Sequence, residues 1–114
     1  MIYFIQNGDR AGHIKIGHVN AIGLKTRRRA LQIGSPYVLK IIGVMAGWRK
    51  TENYLHSIYR AHKAQGEWFE PIPELLSYIE RHASQRVTPE LIALDIAQCR
   101  LEGKQPRPYT APIR

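Results

Sequence analysis

Hydrophobic and polar residues along this chain follow two periods, and the change from one to the other marks out its elements. Ile2-Tyr3-Phe4-Ile5 and Ile14-Lys15-Ile16-Gly17 are short runs rich in β-branched and aromatic residues, bounded by turn formers, and each predicts a β-strand. The linker Gln6-Asn7-Gly8-Asp9-Arg10-Ala11-Gly12 holds an Asn-Gly pair and a second glycine, so the two strands are expected to return antiparallel as a hairpin. Strand alternation sends Tyr3 and Ile5 to one face of the first strand, and His13 and Lys15 to one face of the second. Residues 38–46 are mostly apolar and predict a third strand, central or covered on both faces.

Helical spacing appears in four places. Residues 24–33 predict a helix closed by Gly34, with Pro36 just beyond. On its projection Leu24 and Leu31 lie together, Arg27 and Arg28 flank them, and Arg29 points away. Thr51 is expected to cap a second helix over 51–65, ended by Gly66, with Tyr54, Leu55, Ile58 and Ala61 as its apolar face. Pro73 opens a third helix, to about residue 83, with Leu75, Leu76 and Ile79 inward. Thr88-Pro89-Glu90 is a well-formed start for a last helix reaching about Leu101, with Gly103 ending it. Trp68 and Phe69 are expected to pack against the core as a lid.

Charge sharpens this picture. The net charge is +8, and its distribution is uneven. Residues 1–50 carry nine Lys or Arg against one acid, Asp9, whereas residues 51–114 carry eight of each sign. The whole excess lies in the half holding the hairpin and first helix, which suits binding to a polyanion. A single cysteine excludes an internal disulfide and fits a reducing compartment. No apolar run approaches membrane-spanning length and no signal peptide is apparent, so a cytoplasmic protein is expected. The length suits one domain, and the acid-free stretch 104–114 reads as a flexible basic tail.

Candidate chemistry begins in the same half. A phenol (Tyr3) and an ammonium (Lys15) share a sheet face, and a basic helix follows at once, an arrangement suited to cutting a phosphodiester. Glu52, His56, Tyr59 and Lys63 recur at helical spacing on a second face of the second helix. Glu52 is the first carboxylate after Asp9, and one rigidly held glutamate suffices for Mg²⁺, which keeps waters and substrate phosphate as its other ligands. The five histidines and the cysteine show no zinc spacing. His13, His18, His62 and His82 carry no chemistry of their own in this reading.

Taken in order, Ile2-Tyr3-Phe4-Ile5, Ile14-Lys15-Ile16-Gly17, an arginine four before Leu31-Gln32, Gly34-Ser35-Pro36, Glu52-Asn53-Tyr54-Leu55-His56 and Gly66-Glu67-Trp68-Phe69 resemble the GIY-YIG nuclease superfamily. They are most similar to its phage and bacterial branch, in which the second motif reads Lys-Ile-Gly. The resemblance covers roughly residues 1–70. It implies an α/β fold of the α+β type: a small three-stranded antiparallel sheet flanked by helices. Residues 71–103 would then add C-terminal helices packed on the same domain.

The resemblance also implies roles. Tyr3 would orient or deprotonate the attacking water, with Lys15 as the neighbouring cation favouring the phenolate. Arg27, or Arg28 one step on, would meet the charge that develops on the phosphate. Glu52 would bind Mg²⁺ or Mn²⁺, and His56 would pass a proton or touch a phosphate. Glu67 stands where the family often has an asparagine. Lys15, His18, Lys25, Arg27, Arg28 and Lys63 would line the path of the nucleic acid. The activity so implied is metal-dependent hydrolysis of DNA without a covalent intermediate. Two rival classes share the charge pattern: a nucleic-acid-binding module of the same fold that does not cut, and a basic adaptor for an acidic protein.

Overall fold

The computed structural model describes residues 1–8, 11–20 and 23–103. The stretch 104–114 expected as a tail lies outside the described residues. Among the described residues, five strands and four helices follow in order: β1 (Ile2–Asn7), β2 (Ile14–His18), α1 (Leu24–Ile33), β3 (Leu39–Met45), α2 (Arg49–Ile58), β4 (Lys63–Gln65), β5 (Trp68–Phe69), α3 (Pro73–His82) and α4 (Pro89–Leu101). A short 3₁₀ turn, Arg60–His62, joins α2 to β4. The fold is α+β, with one antiparallel sheet of order β3-β1-β2-β5-β4. Among the described residues no helix is long and apolar enough to cross a membrane.

The sheet thus has five strands rather than the expected three. Helix α2 stops at Ile58, and residues 63–65, expected as its last turn, pair with β5 instead. Ala61, Lys63, Ala64 and Gln65 are good helix formers, so local propensity points the wrong way; pairing across the turn at Gly66 overrides it. Gly66 has φ +58, the left-handed region that a tight reversal needs and glycine adopts freely. Strand β3 lies at the sheet edge but is packed by helices α1 and α3, and Val44 and Ser84 exchange two backbone bonds of 2.8 and 2.7 Å along its free side.

Strand β1 is buried from Ile2 to Ile5 because both faces of the sheet are covered. On one face Ile2, Phe4, Ile14, Ile16 and Phe69 meet Leu55 and Tyr59 from α2 and its end, and Leu75 and Ile79 of α3. On the other, Met1, Tyr3, Ile5, Leu39 and Val44 meet Leu24 of α1, with Leu91 of α4 packed alongside. Helix α3, beyond the 1–70 segment, therefore belongs to the same core. The expected apolar face of α2 is rotated: Tyr54 and Ile58 are exposed, and the buried stripe is Glu52, Leu55 and Tyr59. The cause is α2's position against β2, which turns the Glu52 side of the helix toward the sheet.

Candidate functional site

Register places the first candidate. Tyr3 lies opposite Gly17, and Ile5 opposite Lys15, so Tyr3 and Lys15 project from the same face of the β1–β2 ladder. Gly17 leaves room for the phenol: a Cβ there would come within 2.4 Å of the Tyr3 hydroxyl. That hydroxyl is buried and has no hydrogen-bond partner among the described residues. Burial pushes the phenol above its ordinary range, and of the charged groups the Arg27 guanidinium opposes this most strongly.

Opposite the phenol, α2 lies against β2 near the point where β5 stops pairing. His56 Nε2 donates to the Ile16 carbonyl at 2.9 Å, which leaves Nδ1 as the free acceptor of the neutral ring. Phe69 stands edge-on to the same ring at 5.0 Å. Glu52, one turn earlier, is 6 % exposed and bonds to His18 Nδ1, while His56 Nε2 lies 3.5 Å from its other oxygen. His18 is in turn held by Trp48 at 4.7 Å between ring centroids. Glu67, in the β4–β5 turn, completes the group. Ligand atoms of Glu52, His56 and Glu67 all lie within 4.8 Å of one another.

The two carboxylates respond differently to this crowding. Burial pushes Glu52 up, its neighbour Glu67 adds to the rise, and His18 only partly opposes it. Glu67 is also pushed up by burial, but its bonds to Lys15 and Glu52 outweigh that and hold it below the ordinary carboxylate range. A proton therefore rests more readily on Glu52, and a cation could take its place. Two carboxylates fit Mg²⁺ or Mn²⁺, and the imidazole donor tilts the set toward a transition ion such as Mn²⁺.

Glu52, His56 and Glu67 thus form one cluster, Lys15 joins it through Glu67, and the charges of Arg27, Glu67 and Glu52 all act on the Tyr3 phenol; together they make up the candidate pocket. Lys15 does not serve the phenol as expected: its ammonium pairs with Glu67 at 2.9 Å and sits over the Trp68 ring at 5.7 Å. Arg27 is the cation that acts on Tyr3, and Arg28 is the more buried of the two arginines. Of the Glu52, His56, Tyr59 and Lys63 face, only the first two reach the pocket; Tyr59 is in the core and Lys63 in exposed β4. Lys25 is exposed on α1. His18, expected along the path of the nucleic acid, bonds to Glu52 across 34 positions that no local spacing connects. Beside the pocket a groove of about 560 Å³ runs between α1 and the β4–β5 hairpin, lined by His13, Leu31, Tyr37 and Trp68 among others.

The class so defined is an α+β domain in which a buried phenol, a guanidinium and a cluster of two carboxylates and an imidazole lie close together. Residues 1–87 match the T5orf172 domain, and the chain belongs to that family. The family is associated with endonuclease-like proteins of phages and bacteria. No curated protein and no solved structure matches the chain.

Proposed function

We propose that the protein is a divalent-metal-dependent endonuclease of the GIY-YIG type that hydrolyses DNA phosphodiester bonds. The observation that carries this reading is that the charges of Arg27, Glu67 and Glu52 all act on the buried Tyr3 phenol, whose hydroxyl makes no hydrogen bond of ordinary geometry and has only the Arg27 guanidinium beside it as a donor. A buried polar atom without a partner costs stability, and a reacting water or phosphate oxygen would satisfy it.

Arg27 stands to meet the charge that builds on the phosphate, which a planar two-pronged donor does well. The Tyr3 hydroxyl would orient the attacking water; with burial keeping it protonated, it acts as a positioned hydrogen-bonding group rather than a ready phenolate. Glu52, His56 and Glu67 would hold the ion, which when bound stabilises the phosphoryl oxygens and the departing 3′ oxygen. Lys15, by neutralising Glu67, trims the negative charge of the cluster. The exposed Lys25 and Lys63 would meet the backbone of a strand lying in the adjoining groove.

Plasmid nicking tests the reading. Wild type should nick supercoiled DNA with Mg²⁺ or Mn²⁺ and not with chelator. Glu52→Gln should lower nicking at least about 100-fold and leave DNA affinity nearly unchanged. Salt-sensitive DNA binding with no nicking across metals and pH would instead identify a binding module. Absence of DNA retention even at low salt would favour the adaptor.

A further inference from the structure

Helix α4 lies beyond the segment that matches the family, yet it grips both elements that carry the pocket. Two of its carboxylates, Asp95 and the C-cap residue Glu102, stand seven positions apart and so project from one side of the helix. Asp95 is 3 % exposed; its Oδ1 pairs with the Met1 amino group at 2.9 Å and accepts from Gly47 N at 3.0 Å. It therefore fixes the start of β1, two residues before Tyr3.

Glu102 acts on α2. That helix has Trp48 as its N-cap residue and no side-chain cap of its own, although the sequence suggests Thr51 for the task. The Glu102 carboxylate supplies one from 51 to 54 positions away: it accepts from Trp48 N at 3.1 Å, Lys50 N at 2.8 Å, Thr51 N at 3.4 Å and Thr51 Oγ1 at 2.6 Å. Gln98 Nε2 steadies it at 3.0 Å. Three backbone amides at the start of the helix and the positive end of its dipole thus converge on one anion. Glu52 stands in this same first turn of α2, and His56 one turn further on.

We propose that α4 is a clamp that sets the position of the pocket's carboxylate helix relative to its phenol strand, with Glu102 as the positioning residue. Glu102 touches no member of the pocket, so its effect passes through the backbone of α2. The claim rests on the nuclease reading of that pocket, and the test separates the two.

Glu102→Ala, Glu102→Gln and wild type are compared well below their unfolding temperatures by three measurements: amide hydrogen exchange, Mn²⁺ binding, and nicking as kcat and KM. In the alanine variant, exchange over residues 49–56 should rise at least about tenfold with α3 unchanged, because an uncapped first turn frays. Mn²⁺ affinity and kcat should each fall about tenfold while KM for DNA stays within about twofold, since Glu102 lies off the proposed DNA path. Glutamine keeps one acceptor oxygen and should fall between the two. Unchanged exchange over 49–56 overturns the clamp, as does raised exchange with Mn²⁺ affinity and kcat within twofold of wild type. Should wild type fail to nick, the nuclease reading is lost, while exchange and Mn²⁺ affinity still decide whether Glu102 positions the cluster.

Discussion

Tyr3 carries a hydroxyl that the fold does not need. Replacing it by phenylalanine removes a buried, unpartnered oxygen and keeps the ring packed, so Tyr3→Phe should match or exceed wild-type stability, by up to about 1 kcal/mol. The same change should cut nicking about 100-fold or more, and urea melts beside plasmid assays check both halves. Gly17 makes the complementary case. Its Cβ would overlap the phenol at 2.4 to 2.9 Å, so Gly17→Ala should cost about 1–3 kcal/mol and depress nicking by displacing Tyr3; Gly17→Ala combined with Tyr3→Leu should recover the stability alone. Alternation along two short strands was enough to put Tyr3 and Lys15 on one face. The Lys15–Glu67 pair and the His18–Glu52 bond were not legible, because each joins residues that only tertiary packing brings together.

Among the elements, α1 and α4 could be read almost to the residue because their starts and stops are local: Gly34 after one, Thr88 and Pro89 before the other. Helix α2 could not. Its start relies on a carboxylate from the far end of the chain, and its end is decided by a hairpin whose β4 strand, Lys63–Gln65, is three exposed residues without apolar alternation. The trans cap has a consequence for acid stability. Burial alone would raise the Glu102 carboxyl, but its bonds to Thr51, Gln98, Trp48 and Lys50 hold it below the ordinary range. A carboxyl lowered in the folded state adds stability above its unfolded pKa, near ~4.3, and loses it as pH falls through the folded value. The gap in urea midpoint between wild type and Glu102→Gln should therefore be widest near neutrality and narrow below about pH 4. Glu52, which is raised, carries the opposite sign, but both proteins share it.

For the whole molecule, the basic excess lies in residues 1–50, which carry Tyr3, Lys15 and Arg27, while the acidic cluster of Glu52, His56 and Glu67 comes from the charge-balanced half. If Lys25 and Lys63 meet phosphates, each alanine replacement should weaken DNA binding regardless of sequence. It should also reduce the slope of log affinity against log salt by about one, as read from fluorescence anisotropy across a salt series. Arg29, exposed and directed away from Leu24, should change that slope least. The chain's single thiol, Cys99, is 6 % exposed on α4, three positions before Glu102. A thiol-directed dye can reach it only when that helix lifts, so the labelling rate of the unaltered protein is a clock for the helix's departure, built in by the sequence and needing no engineered probe.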